Sequence, residues 1–392
     1  MLTSADVARV RQETPGLGHG VYLDNCGSSL MPEPVVAAMK SYLEQEISLG
    51  GYVAQEQQSA ALSRVYTSLA ELFGGSSADY AITGSAVDAW TKAFYSIPLN
   101  AGDNIITVFN EYCSNYVAYL HREKRDGVEI RVARARQDGS LDIEHLADLV
   151  DNKTKIISLA HVASSDGLIA DAKAVGQIAA GSNAFYILDA CQAVGQIPVS
   201  FTDIGCHMAT ATSRKFLRGP RGVGFLYIDK AARQQLDPIV VTNKAATWIS
   251  DGEYELSEDA AMFEAWESSC LVNMGFGAAL DYLLMQGVGK TTAYLQALAS
   301  GLRKDLAVIN GVTIECPDIA EAAIITFNKV GWDAPLLKTA MAEKGITVQV
   351  SSIFHTRLDY GARGIETAAR VSPHYYNTAD ELNRFLNVLE SL

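Results

Sequence analysis

The chain reads as an α/β protein: a mostly parallel sheet covered by helices, followed by a smaller α+β domain. Three observations predict this. Between about residues 79 and 230, short β-branched or aromatic runs alternate with amphipathic stretches, the pattern of βα units. From about residue 265 the rhythm changes to long helical stretches, then strands and helices. No internal repeat, low-complexity tract or long Pro/Gly linker divides the chain differently.

The runs are DYAIT, NIITVF, EIRVAR, KIISLAH, AFYILDA and VGFLYI. Strands covered by helices on both faces are expected to be apolar in this near-continuous way. SLDIEHLADLV and DAKAVGQIAA, which lie between runs, carry helical spacing. Right-handed crossovers put the loops after successive strands on one edge, where open α/β sheets bind ligands. In the tail, residues 271–307 read as helical. EAAIITFN, a helix around PLLKTAMAEKG, ITVQVS, TAARVS and a last helix DELNRFLNVLESL follow. The expected division is a large domain over 17–264 and a small one over 265–392 that also takes in residues 1–16.

A chain of 392 residues is too long for one simple core. Its net charge of −14 opposes encounter with nucleic acid or an anionic membrane. Arg214, Arg218 and Arg221 still offer a local site for a small anion. MLTSADVARVRQETPG lacks the apolar stretch of a signal peptide, and there is no run of about 18 apolar residues to span a membrane. The six cysteines form no CxxC pair and the seven histidines no HxxxH or HExxH. This spacing predicts neither a metal site nor a disulfide framework, and it suits a reducing cytoplasm.

Three segments carry chemistry. AFYILDACQ ends an apolar run in Asp189, with Gln192 close behind. A carboxylate emerging from a buried strand is costly unless a cation or donors await it, such as a protonated heterocycle nitrogen. In ATATSRKFLRGPRGVGFLYI, Lys215 stands after Thr212, Ser213 and Arg214 and before a Gly/Pro-rich turn. Hydroxyls and a guanidinium beside a lysine make a phosphate cradle with an amine in reach. In AITGSAVDAWTKAF a strand ends at Thr83-Gly84-Ser85-Ala86 and a helix begins; the amides at such a helix start bind phosphate.

The ordered set TGSA, NEYCSN, AHVASSDG, LDACQAVGQ, TSRKFLRGPRGVG and ARVSPHYYNTADEL resembles the class V aminotransferase superfamily, fold-type I enzymes of pyridoxal 5′-phosphate (PLP). The likeness runs from YLDNCGSS at 22–29 to the last helix. It implies a seven-stranded large-domain sheet and a homodimer with shared active sites. It implies that Lys215 carries the cofactor as a Schiff base and moves the substrate α-proton. Asp189 would pair with the pyridinium nitrogen and Gln192 with the phenolic oxygen. Ser85, Ala86, Thr212 and Arg214 would hold the phosphate, Tyr112 would stack on the ring and Ser164 would lie beside it. Arg370 would clamp the substrate carboxylate, with Asn25 and Tyr52 as further substrate contacts. Within FEAWESS, which in relatives reaches the neighbouring subunit's phosphate, Ser268 is the candidate donor.

Cysteine desulfurases of this superfamily place a thiol on a loop ahead of the carboxylate-binding arginine. The stretch 346–370 contains no cysteine, which disfavours persulfide formation there. LGGYVAQEQ, EYCSN, ASSDG and VSPHYYNTADEL further resemble hercynylcysteine-sulfoxide lyases. The expectation is therefore a cytoplasmic PLP-dependent C–S lyase acting on a cysteine conjugate or its sulfoxide. β-Elimination would yield pyruvate, ammonia and a thiol or sulfenic acid, as in ergothioneine- or ovothiol-type biosynthesis. The alternatives are an epimerase or aminotransferase of the same superfamily, then a desulfurase or a catalytically silent relative.

Overall fold

A computed structural model describes all 392 residues, and the apolar runs form its central sheet. The strands are β1 (Tyr80–Thr83), β2 (Asn104–Val108), β3 (Glu129–Ala133), β4 (Thr154–Ala160), β5 (Phe185–Asp189), β6 (Met208–Thr212) and β7 (Gly224–Ile228). Their order is β1-β7-β6-β5-β4-β2-β3. Strands β2 to β6 pair in parallel, whereas β7 is antiparallel to both neighbours, β6 and β1. The reversal of β7 leaves β1 pointing the same way as the parallel strands. The C-terminal ends of β1 to β6 therefore share one edge, as expected for this fold class.

Side chains of successive strand residues leave on opposite faces, and each face builds its own core. Ile106, Leu188 and Phe225 join Leu69, Phe73 and Phe276 on one side. Their strand neighbours Ile105, Ile187 and Leu226 join Trp90, Phe94 and Tyr119 on the other. The covering helices include α1 (Glu33–Leu49), α2 (Ser59–Phe73), α3 (Ala86–Tyr95), α4 (Cys113–Asp126), α5 (Ala172–Ala180) and α6 (Cys270–Gln286), the last packed on α1 and α2. No helix is long and apolar enough to cross a membrane.

The C-terminal region adds the helix α7 (Val288–Ala307) and an antiparallel sheet of β8 (Val312–Ile314), β9 (Ile325–Lys329), β10 (Gln349–Ser352) and β11 (Thr367–Val371) in the order β8-β9-β11-β10. Leu302, Phe327, Met341, Val371 and Phe385 form its core. The closing helix α8 (Ala379–Ser391) starts at a reciprocal cap between Thr378 and Glu381. β11 lies between two partners, so its Arg370 sits on a fixed backbone.

Candidate active site

One cavity opens at the shared C-terminal edge of the large sheet. Ser85 and Ala86 reach it after β1, Asn110 and Tyr112 after β2, and Ala160, Val162 and Ser164 at and after β4. Asp189, Cys191 and Gln192 enter from β5, and Thr212, Arg214 and Lys215 from β6. Residues spread over 130 positions of sequence meet because the strands run parallel.

Asp189 is the last residue of β5. Its Oδ1 accepts the Cys191 N–H at 2.9 Å and its Oδ2 accepts the Asn115 amide at 3.1 Å. Both oxygens thus have a donor that fixes the carboxylate plane. Asn115 lies in the first turn of α4 and also donates to Glu111 Oε1 at 3.1 Å. Glu111 is buried, and burial raises its pKa above the usual carboxylate range.

Lys215 projects into the cavity from the turn after β6. Burial lowers its pKa first, and the neighbouring Arg214 charge lowers it further, while Cys191 and Asp189 oppose the shift. A lysine so placed releases its proton more readily than one in water and becomes a nucleophile or base. Its carbonyl accepts the Arg218 N–H at 2.9 Å. The same turn is held from below by Arg218, which donates to Leu30 O at 3.0 Å and to Thr14 Oγ1 at 2.7 Å.

The cavity lining also carries groups suited to an anion. Ser85 is the N-cap of the ten-residue helix α3, which supplies the positive end of a helix dipole. This turn lies against β7 only because residue 224 is glycine. A Cβ there would come within 2.6 Å of Ala86 N and 2.7 Å of Ala211 O. Thr212 and Arg214 line the same cavity, although Arg214 also donates to Gly27 O.

Arg370 donates to Ser164 O at 3.1 Å and has an ion-pair contact of 3.8 Å with Asp24. Its buried Nε has no hydrogen-bond partner. Arg370 does not itself line the cavity but holds Ser164, which does. Burial raises the Asp24 pKa, opposed first by Arg370.

Other expected residues lie differently. Gln192 lines the cavity, but its Nε2 donates to Cys26 O at 3.1 Å and its Oε1 is a buried atom without a partner. The Asn25 side chain is spent on the fold: Nδ2 donates to Ser372 O at 2.7 Å and Oδ1 accepts from the Tyr376 hydroxyl. This ties the N-terminal segment to the segment after β11, so its expected substrate role is replaced by a structural one. Ser268 and Tyr52 line a separate open cleft with Tyr66, Glu264 and Trp266 and do not reach the cavity within this chain. Asn110, Val87, Ala160, Val162 and Cys191 line the cavity without having been singled out. Their position just past strand ends was the available signal.

The donor set gathered here, a carboxylate, a helix start with hydroxyl and guanidinium, and an amine, fits a flat, phosphorylated pyridine. The fold and this site define an enzyme dependent on PLP. The class-V aminotransferase profile matches residues 21–385, and the chain belongs to that family.

Curated relatives span nearly the whole molecule. A probable cysteine desulfurase of Methanothermobacter thermautotrophicus is 27% identical over 98% of this chain and 97% of its own. One of Synechocystis is 27% identical over 98% and 95%. Among solved structures, the apo cysteine desulfurase of Thermococcus onnurineus superposes with a TM-score of 0.90 at 22% identity, covering 100% of this chain and 98% of that one. A complex of the cystine C–S lyase C-DES with its product cysteine persulfide has a TM-score of 0.87 at 19% identity, covering 97% and 99%; at such identities the likeness concerns the fold.

These findings overturn the expectation of a sulfoxide lyase. The relatives that cover the chain end to end are cysteine desulfurases, and the narrower likeness to hercynylcysteine-sulfoxide lyases is unsupported. The missing cysteine in 346–370 was an argument from absence. It bears on where sulfur goes, and much less on which bond the site attacks.

Proposed function

We propose that this chain removes sulfur from cysteine, leaving alanine and passing the sulfur to a thiol. The observation that carries this is the cavity lined by Lys215 and Asp189, with Arg370 held beside it on Ser164 O, in a chain whose full-length relatives include cysteine desulfurases. In the net reaction the Cβ–S bond breaks, a Cβ–H bond forms, and the sulfur joins the acceptor thiol as a persulfide.

PLP, held by Lys215, Asp189, Ser85, Ala86, Thr212 and Arg214, supplies the electron sink for a carbanion at Cα. Arg370 binds the substrate carboxylate and so points Cα toward Lys215. The depressed amine of Lys215 takes the α-proton and later returns protons to carbon. Tyr112 and Val162 cover the cavity walls and exclude water.

The acceptor is proposed to be a thiol from solution. Cys26, Cys113 and Cys191 all have thiols whose pKa burial raises, and protonated thiols are poor nucleophiles. Cys113 stands beside the loop that follows β10, its N–H on His355 O at 3.1 Å. With L-cysteine and dithiothreitol, the wild type and Cys113→Ala should both release alanine and sulfide. Loss of alanine in the variant would instead assign the acceptor to Cys113.

A second copy is proposed to cover the open cleft that holds Ser268 and Tyr52. Trp248, Tyr254 and Trp266 are more than half exposed there and on the nearby hairpin. Light scattering should give twice the mass of one chain.

A further inference from the structure

A carboxyl group is buried behind Asp189 without a cation. Glu111 Oε1 accepts from the Tyr112 N–H at 2.8 Å and from Asn115 at 3.1 Å. Its Oε2 accepts from Thr107 Oγ1 at 2.8 Å and Tyr119 Oη at 3.0 Å, with Ser158 Oγ 2.6 Å from Tyr119. Glu111, Asn115, Thr107, Ser158 and the body of Tyr119 are all buried. Five polar groups assembled in the interior are costly unless each is satisfied. Here the other four surround Glu111, which lies behind the cavity between the lining residues Asn110 and Tyr112 and is joined to Asp189 through Asn115.

Asn115 explains the arrangement. An amide nitrogen carries two hydrogens, and here one meets Glu111 Oε1 and the other Asp189 Oδ2, each at 3.1 Å. Glu111 stands just before Tyr112, the N-cap of α4, and Asn115 lies in the first turn, so the chain's entry into the helix brings the two side chains together. The acceptor at Glu111 fixes the Asn115 rotamer and leaves the second N–H aimed at Asp189. The Tyr112 N–H and the Asn115 amide can only donate, so Oε1 must accept whatever the charge of the group.

We propose that Asn115, oriented by Glu111, is a positioning residue that holds the Asp189 carboxylate in the plane in which it pairs with the cofactor's ring nitrogen. The donated N–H, with the Cys191 N–H on the other oxygen, leaves Asp189 one fixed orientation toward the cavity. The proposal rests on the cofactor site and is independent of the sulfur chemistry. Other titratable or charged groups facing the pair are Tyr119 on α4, Tyr112 before it, Cys191 after β5, and Arg214 and Lys215 after β6.

The test uses PLP-loaded wild type, Asn115→Ala, Glu111→Ala, Glu111→Gln and the Glu111→Ala/Asn115→Ala double variant. Readouts are the pH midpoint of the bound cofactor's visible absorbance, kcat, KM, and the melting temperature of the cofactor-free chains. Asn115→Ala and Glu111→Ala should each displace the midpoint in the same direction and lower kcat about tenfold with little change in KM, as for an interaction made at the reacting step. Glu111→Gln keeps an acceptor toward Asn115 and should restore both values. The double variant should be no worse than Asn115→Ala, because the two act through one bond. An unmoved midpoint in Asn115→Ala, or multiplied losses in the double variant, overturns the proposal, whatever the melting temperatures do. A wild-type chain that takes up no PLP overturns the cofactor site itself.

Discussion

Arg370 gives one guanidinium N–H to the carbonyl of Ser164 at 3.1 Å while its buried Nε remains without a partner. The first contact orients the fork beside Ser164, which lines the cavity, and its carboxylate neighbour Asp24 stands 3.8 Å away. Lysine at 370 would keep the charge and lose the fork. Arg370→Lys should raise KM for cysteine about 10- to 100-fold, the worth of a charge-assisted hydrogen bond, with a smaller change in kcat. Steady-state alanine release across substrate concentrations measures this.

Gly224 marks the tightest approach beside the anion-binding helix start. A methyl group there would have to share space with Ala86 N and Ala211 O, which are backbone atoms and cannot swing away. Gly224→Ala should cost about 1–3 kcal/mol of stability, as overpacking does, and should weaken PLP binding. Denaturation of the cofactor-free chain and fluorescence titration with PLP separate the two effects.

Arg218 is buried with no carboxylate partner. It is held by Leu30 O, Thr14 Oγ1 and Tyr375 Oη, with Tyr375, Tyr376 and Tyr282 rings 4.7–5.6 Å from its guanidinium carbon. These bonds leave from three separate guanidinium nitrogens, a planar spread that the single nitrogen of an ammonium cannot reproduce. Arg218→Lys should lower unfolding free energy by about 2–3 kcal/mol, read as a fall in urea midpoint with unchanged slope. Its backbone N–H on Lys215 O predicts weaker PLP binding as well.

His161 is buried, with Nδ1 unpaired, and burial lowers its pKa to about 4. In the unfolded chain an imidazole titrates near 6.5. Between those values the unfolded state binds more protons, so stability falls as pH drops from about 6.5 to 4, by up to roughly 3 kcal/mol from this group. His161→Asn should reduce the stability difference between pH 7 and pH 5 in urea unfolding by about 2 kcal/mol, the part of that span lying above pH 5. His207 and His374, lowered the same way, should preserve a residual slope in the variant.

Much of the site was legible because its residues end strands. The AFYILDA run declared a buried strand, and Asp189 at its end declared a charge that needed a partner. Lys215, Thr212 and Arg214 stood together in one turn, and β1 to β6 all end on the edge where these residues meet. The Asn115–Asp189 bond was harder to see, since it joins residues 74 positions apart; only the i, i+4 spacing of Glu111 and Asn115 was local. Asn25 looked available because sequence does not show that it is buried with its amide engaged by Ser372 and Tyr376. The reaction was misread for a different reason. An acceptor thiol can come from outside the chain, so a loop without cysteine does not exclude sulfur transfer.

Lys215 as the covalent seat of PLP is the claim on which the rest depends. Borohydride reduction of the PLP-loaded chain, followed by peptide mass spectrometry, tests it most directly. The pyridoxyl group should be found on the peptide containing Lys215, and Lys215→Ala should carry none. A pyridoxyl group on another lysine, or an unlabelled Lys215 in a chain that still turns over cysteine, would contradict the account.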